Sequence, residues 1–439
     1  MRPFFFARIG FPRQRISFIM YKCRHHVKHL GTYVSPRCCD KGALHTSGTS
    51  QMLKFSALPP VRRPVPLRRA SSTAHGSLSR FFNNRSITLC ASGTAALSQA
   101  LARCATRLSA QTPEAIIPAY GCPDLVAACM HASIYPRLAD IDASGWSYDL
   151  DDLSRKLSAD TVAIVSVNLM GIADGTPCLS DLCRQRGITL IQDSAQFLPR
   201  NPIDWPADYV ILSFGRGKPM NLLHGGALIA PPESPPEPTP KLTRYTLRDR
   251  LRTGTAAALA FNFLTRPHPY WIVSHLPGSG LGTVTYKPLS NPAALPPSAS
   301  VRVDAAFAQY QRQQTYSRHV WAASIAEWTS FGIRPLQPDT PSAEPEPLRL
   351  LLLAPDRASR DDLVIRLQRA GLGASHLYGA DLAHVSGIPD EVRHQGTFPH
   401  AAALAERLFT LPTHAFVTPR IVRETTDCIR KWHRAHHRG

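Results

Sequence analysis

The chain has 439 residues, 44% of them hydrophobic and 18% charged, and a formal charge of +19. That length supports two or more domains and a large core, and the composition reads as globular rather than disordered. The charge does not point to nucleic acid: residues 1–75 hold 14 Lys/Arg against one Asp/Glu, leaving 36 Lys/Arg and 30 Asp/Glu for the other 364. No RNA-recognition pattern or zinc-finger spacing accompanies it. The ten cysteines form no CxxC pair, so no metal site is expected, and Cys104, Cys129 and Cys183 fall in apolar helical surroundings that suit reduced thiols in a cytoplasm. The longest aliphatic run, Leu348 to Ala354, is too short to span a bilayer, so no membrane partner is expected.

Residues 1 to about 51 mix Arg, His, Cys and Phe without periodicity. We read 1–75 as a basic N-terminal extension, with Met52 as an alternative start, and expect deletion of 1–51 to leave folding and cofactor binding intact. From Ser86 onward, strand and helix patterns alternate. The expected strands are Ile87–Cys90, Ala115–Ile117, Ile134–Leu138, Thr161–Val167, Ile188–Ile191, Val210–Ser213 and Ala227–Ala230, with helices over Thr94–Leu108, after Pro123 and after Pro177. This order implies an α/β fold with a mostly parallel sheet sandwiched by helices. Residues 76–240 form the expected large domain, closed by the proline-rich break Pro231–Pro240.

Beyond it, residues 241–300 read as a connecting region, helical over Leu242–Tyr270 and irregular over Leu276–Pro297. Residues 301–439 read as a smaller C-terminal α+β domain. It has a helix over Val301–Trp328, a loop at Pro335–Pro347, a strand at Leu348–Leu353, and helices at Arg360–Ala370 and Pro419–Trp432.

The chemistry concentrates in three stretches of the large domain. In Val210–Ala230 (VILSFGRGKPMNLLHGGALIA), Lys218 is offered on a turn between two strands, with Gly215 and Gly217 letting the backbone approach a bulky ligand. A lysine partly withdrawn from water there can attack a carbonyl, as a Schiff-base lysine must. The run GITLIQDSAQ, Gly187–Gln196, delivers Asp193 and Gln196 at the C-terminal end of a buried strand. ASGTAAL, Ala91–Leu97, opens a helix after a strand and sets Gly93 and Thr94 at its N-terminus, where amides and a hydroxyl suit a phosphate. Each has an ordinary reading as well: a surface lysine, an N-cap aspartate, and Ser/Thr caps.

In order and spacing, ASGTAAL, IIPAYGCPD, LADID, QDSAQ and SFGRGK…GGAL resemble the DegT/StrS family of pyridoxal phosphate (PLP)-dependent aminotransferases, over roughly Ser86 to Ala230. The resemblance implies a PLP-dependent transferase of fold type I, acting as a homodimer with its active site near the interface. It further implies an amino donor such as glutamate, and a keto acceptor such as a keto-sugar nucleotide or related biosynthetic intermediate. It assigns Lys218 to the Schiff base and proton shuttle, Asp193 to the pyridinium nitrogen and Gln196 to the ring oxygen. Gly93, Thr94 and Ser213 go to the phosphate.

Several positions depart from the family pattern. Cys122 replaces the aromatic that stacks on the cofactor ring, so either Tyr120 compensates or the ring is held differently, and Asn168-Leu169-Met170-Gly171 replaces HLYG. Leu223-His224 replaces Gly-Glu, and Tyr286–Val303 stands where relatives carry the loop that reaches a partner subunit's phosphate. Arg216 matches no family position. These departures keep open a catalytically silent PLP-fold protein with a regulatory or binding role. A dehydratase of the family is disfavoured because the lysine is present.

Overall fold

In a computed structural model the chain divides into residues 1–52 and a compact unit, 53–439. The structure describes residues 55–68, 76–107, 110–145, 147–172, 176–232, 254–276, 284–290, 293–313, 318–336 and 347–436. The expectations for residues 1–51, for 241–253 and for most of the two proline-rich loops lie outside these ranges.

The large sheet has seven strands: β1 (Ser86–Cys90), β2 (Glu114–Pro118), β3 (Tyr135–Ala139), β4 (Thr161–Val167), β5 (Thr189–Asp193), β6 (Tyr209–Ser213) and β7 (Gly226–Ala230). Their order is β1-β7-β6-β5-β4-β2-β3. All neighbours are parallel except β7, which is antiparallel to both β1 and β6. The α/β expectation holds, and the reason is local: β2 and β7 are buried along their whole length, which only apolar runs covered on both faces allow. The covering helices include α1 (Gly76–Phe81), α2 (Gly93–Arg107), α3 (Asp124–His131), α4 (Leu150–Lys156) and α5 (Thr176–Arg186).

Most expected strands fall within a residue or two of those observed. β5 runs past Ile191 to Asp193 because Gln192 and Asp193 still pair with β4 on one side and β6 on the other. The carboxylate is thus carried on the strand itself.

The expected helix over Leu242–Tyr270 is two helices in its described part, α6 (Thr255–Leu264) and α7 (Pro267–His275). Arg266 is extended and Pro267 takes the first helical position, so α6 cannot run on into α7. The expected helix over Val301–Trp328 is likewise divided, into α8 (Val303–Arg312), a single 3-10 turn at Arg318–Trp321 and α9 (Ala322–Ser330).

Of the segment expected to be irregular, the described residues 293–295 lie along the outer edge of β1. Ala91 N donates to Ala293 O at 2.8 Å and Leu295 N to Leu89 O at 3.3 Å, so the segment covers a sheet edge of its own chain.

The C-terminal part adds a three-stranded antiparallel sheet ordered β10-β9-β8, from β8 (Arg334–Pro335), β9 (Arg349–Leu353) and β10 (Leu408–Pro412). It packs with α10 (Arg357–Arg369), α11 (Pro399–Arg407) and α12 (Pro419–His436). One apolar core runs from Cys90 and Ile117 of the large sheet and Leu101 of α2 through to Leu351, Leu382 and Leu408. A strap, residues 55–68, lies along α6 and α7 and sends Leu58 into the C-terminal core.

Candidate active site

The strand ends on which Asp193 and Ser213 sit, together with the turn from β1 into α2, open onto one cleft of about 540 Å3 including its mouth. Ligands of open α/β sheets collect at such carboxyl ends. All six residues singled out from the sequence line it: Gly93, Thr94, Asp193, Gln196, Ser213 and Lys218.

The floor is built by close backbone approach. A Cβ on Gly93 would lie 2.9 Å from Ser213 Cβ, so only glycine lets the opening turn of α2 sit on β6. Ser92 caps α2 by accepting from Ala95 N at 3.0 Å, a role the sequence reading did not assign. Thr94 Oγ1 donates to Asp124 Oδ2 at 3.1 Å, which joins the first turns of α2 and α3.

Lys218 closes a tight turn, its N–H donating to Gly215 O at 3.2 Å, with Gly217 at φ +75° beside it. That φ favours glycine, and a Cβ at Gly217 would also crowd Val61 of the strap at 3.3 Å.

Asp193 accepts from Ala195 N at 2.9 Å. Burial pushes its carboxyl above the ordinary value, opposed by that hydrogen bond and by Lys218, while Asp124 pushes the same way as burial. Gln196 is fixed at both ends: its Oε1 accepts from Met170 N at 2.7 Å and its Nε2 donates to Tyr378 OH at 2.9 Å.

Three lining residues with charged, amide or hydroxyl side chains were not anticipated as such: Asp124, Asn168 and Tyr378. Asp124 and Asn168 come from motifs noted for other reasons, and Asn168 Nδ2 donates to Ser194 Oγ at 2.9 Å. Tyr378 comes from 160 residues beyond Lys218, and no local signal in the sequence ties it to the cleft.

Tyr378, not Tyr120, is the aromatic of the cleft. Tyr120 is buried behind it, the two rings meeting edge to face at 5.5 Å, and faces a second, smaller pocket with Tyr148 and Leu169. Cys122 does line the cleft, and burial, aided by Asp124 and opposed by Lys218, pushes its thiol up to about 12, so it is a neutral, weakly polar wall. Arg216 is exposed and His224 half-buried; neither lines the cleft.

The donor set fits PLP. A half-buried carboxylate matches a protonated ring nitrogen, a lysine faces the same cleft, and the Gly93–Ser213 cradle leaves the N-terminus of α2 accessible to a dianion.

Fold and cleft define the class: a PLP-transferase architecture of fold type I. Residues 75–256 match the model of the DegT/DnrJ/EryC1/StrS aminotransferase family. GDP-perosamine synthase of Vibrio cholerae is 28% identical over 116 residues, 26% of this chain. The match spans only 31% of that relative.

Among solved structures, aminotransferase TlmJ from Streptoalloteichus hindustanus superposes with a TM-score of 0.60 at 17% identity, covering 84% of this chain and 92% of that one. A DegT DnrJ EryC1 StrS aminotransferase from Brucella abortus gives 0.57 at 17% identity, covering 82% and 88%.

Proposed function

We propose that this protein is a PLP-dependent aminotransferase, moving an amino group from a donor, glutamate by analogy, to a keto acceptor. The observation that carries the reading is the convergence of Lys218, Asp193 and the Gly93–Ser213 cradle on one cleft. When bound, PLP supplies an electron sink for the carbon that loses its proton.

The chain's own groups supply the rest. Lys218 Nζ would hold the cofactor carbonyl and would carry the proton to and from the reacting carbon. The Asp193 carboxylate would keep the ring nitrogen protonated, and Gly93, Thr94 and Ser213 would hold the phosphate with the N-terminus of α2. Gln196, held by Met170 and Tyr378, orients the ring oxygen.

A keto-sugar nucleotide is the acceptor we favour, supported by the matched GDP-perosamine synthase. We also read the protein as a cytoplasmic homodimer, with 76–240 as the cofactor domain and 301–439 as the small domain.

The test is a visible absorption spectrum of the protein with PLP, before and after L-glutamate. A cofactor band that Lys218→Ala removes and glutamate bleaches is the expected result. No such band at saturating PLP would leave the silent-scaffold reading in its place.

A further inference from the structure

Helix α6 is laid down inside out. Its polar Asn262 faces the protein, donating to Val65 O at 2.9 Å and accepting from Val65 N at 2.8 Å, and Ala258 is its one buried residue. Its Leu259, Phe263 and Leu264 face solvent at 53%, 56% and 42% exposure, and Ala256 and Ala260 fall on the same stripe at helical spacing. Helix α7 buries nothing and continues the surface with Ile272 and the adjoining Leu276. The strap adds Phe55, edge-on to Trp271 at 5.1 Å, and Leu67. Seven of the eleven exposed large apolar residues among the described residues thus lie on one helical hairpin and its strap. A concentration of this kind marks an interaction surface.

The charge on this face selects the partner. Residues 41–113 and 250–303 contain no Asp or Glu, so strap and hairpin carry no carboxylate. The exposed arginines and histidines of this face are Arg68, Arg266, His268 and His275, and its one other exposed polar residue is Thr255. A second copy of the chain would set this cationic rim against itself with nothing to neutralise it. An anionic bilayer meets both requirements: the acyl boundary takes the apolar stripe and lipid phosphates face the arginines. Half-buried Tyr270 and Trp271 suit the headgroup level.

Among the described residues no helix is long and apolar enough to cross a membrane. The ten residues of α6 reach only about 15 Å of a core roughly 30 Å thick. That geometry belongs to a helix lying in the interfacial plane, a mode the lack of a spanning segment does not oppose.

We propose that the α6–α7 hairpin, with the 55–68 strap, docks the protein peripherally on an anionic lipid surface through Leu259, Phe263, Leu264 and Ile272, with Arg68 and Arg266 on lipid phosphates. The docking is independent of the cleft and of the reaction proposed for it.

The test is co-sedimentation of the full chain with vesicles of phosphatidylcholine alone and of equal parts phosphatidylcholine and phosphatidylglycerol. Binding only to the anionic vesicles is expected, weakened about tenfold or more by the paired change Leu259→Glu and Phe263→Glu. The wild-type chain gives a second reading: brominated acyl chains quench part of its tryptophan emission, and Trp271→Phe removes that part. Four results would each overturn the proposal: no vesicle binding; equal binding to both compositions; binding undiminished by the paired change, which would trace it to the basic residues 1–75; or quenching untouched by Trp271→Phe. A dimer broken by the paired change, without vesicle binding, would hand the face to a second copy.

Discussion

Gly226, the first residue of β7, lies against the turn that opens α2 so closely that a Cβ there would stand 2.6 Å from Gly93 N and 2.6 Å from Leu212 O. Gly225, beside it at φ +100°, would drive a Cβ to 2.4 Å from Leu295 Cδ1. The glycine pair is therefore what lets β7 slide between β1 and β6 and brings Gly93 onto Ser213.

Gly226→Ala has backbone on three sides and no side chain that can yield. It is expected to cost about 1–3 kcal/mol or more and to lower PLP affinity, because the cradle moves with the sheet. Gly76→Ala, at the start of α1 with nothing within 4 Å, is the control and is expected to be neutral or to gain about 0.4–1 kcal/mol. Urea denaturation and PLP titration of both variants check this.

Asp193 sets stability against function. Its carboxyl is raised above 3.8 in the folded protein, chiefly by burial, so the fold favours the protonated form. Stability from this group is complete below the unfolded value and is lost as pH rises through the folded one. Asp193→Asn is therefore expected to stabilise the cofactor-free protein at neutral pH, with the gain vanishing in acid. The same change removes the partner of the ring nitrogen, so transamination should collapse. Denaturant midpoints across pH and single-turnover rates check the two halves separately, and a variant less stable than wild type at neutral pH would contradict the electrostatic account.

The parallel sheet was legible because strands covered on both faces must be written as apolar runs, and β4, TVAIVSV, is buried over six of its seven positions. The cleft was legible where chemistry and chain neighbourhood coincide, as in Gly93–Thr94, Asp193–Gln196 and Ser213–Lys218. Tyr378 was not, since its place beside Gln196 is decided by how the C-terminal part folds back onto the sheet. β10, LFTLP, follows directly on α11 and ends in Pro412; it is a strand because Leu408 to Pro412 find β9, which no local pattern announces. The outward stripe of α6 reads as a core face until the structure shows Asn262 turned inward.

Asn262 fastens that helix to the strap by pairing with both backbone groups of Val65, which is itself 2% exposed. Asn262→Ala would strand a buried N–H and a buried C=O together. A loss of about 1–3 kcal/mol is expected. It should be felt locally, as faster hydrogen exchange and proteolysis over residues 55–68, with the exchange of β4 and β5 unchanged. Equal loosening everywhere would mean that the strap is an integral part of the core.

The other end of the strap is held by His414, and this hold should depend on pH. His414 Nε2 donates to Pro59 O at 2.8 Å, while Nδ1 accepts from Phe416 N at 3.3 Å, which defines a neutral ring with its proton on Nε2. Burial lowers its pKa from 6.5 to about 4, helped by Arg349, Arg62 and Arg63 and opposed by the Pro59 hydrogen bond. A depressed histidine contributes stability that is whole above the unfolded value and is lost as pH falls through the folded one. The strap should therefore loosen between about pH 6.5 and pH 4. Protonation would require both ring nitrogens to donate, turning the Phe416 N–H from a partner into an opponent. His414→Gln keeps a donor toward Pro59 without a titrating ring, and is expected to flatten this part of the stability profile. His224, also lowered to about 4 by burial, is present in both proteins and cancels in the difference. Denaturant midpoints measured from pH 7 to pH 4 on the pair check the point, and parallel profiles would remove His414 as the source of the acid sensitivity.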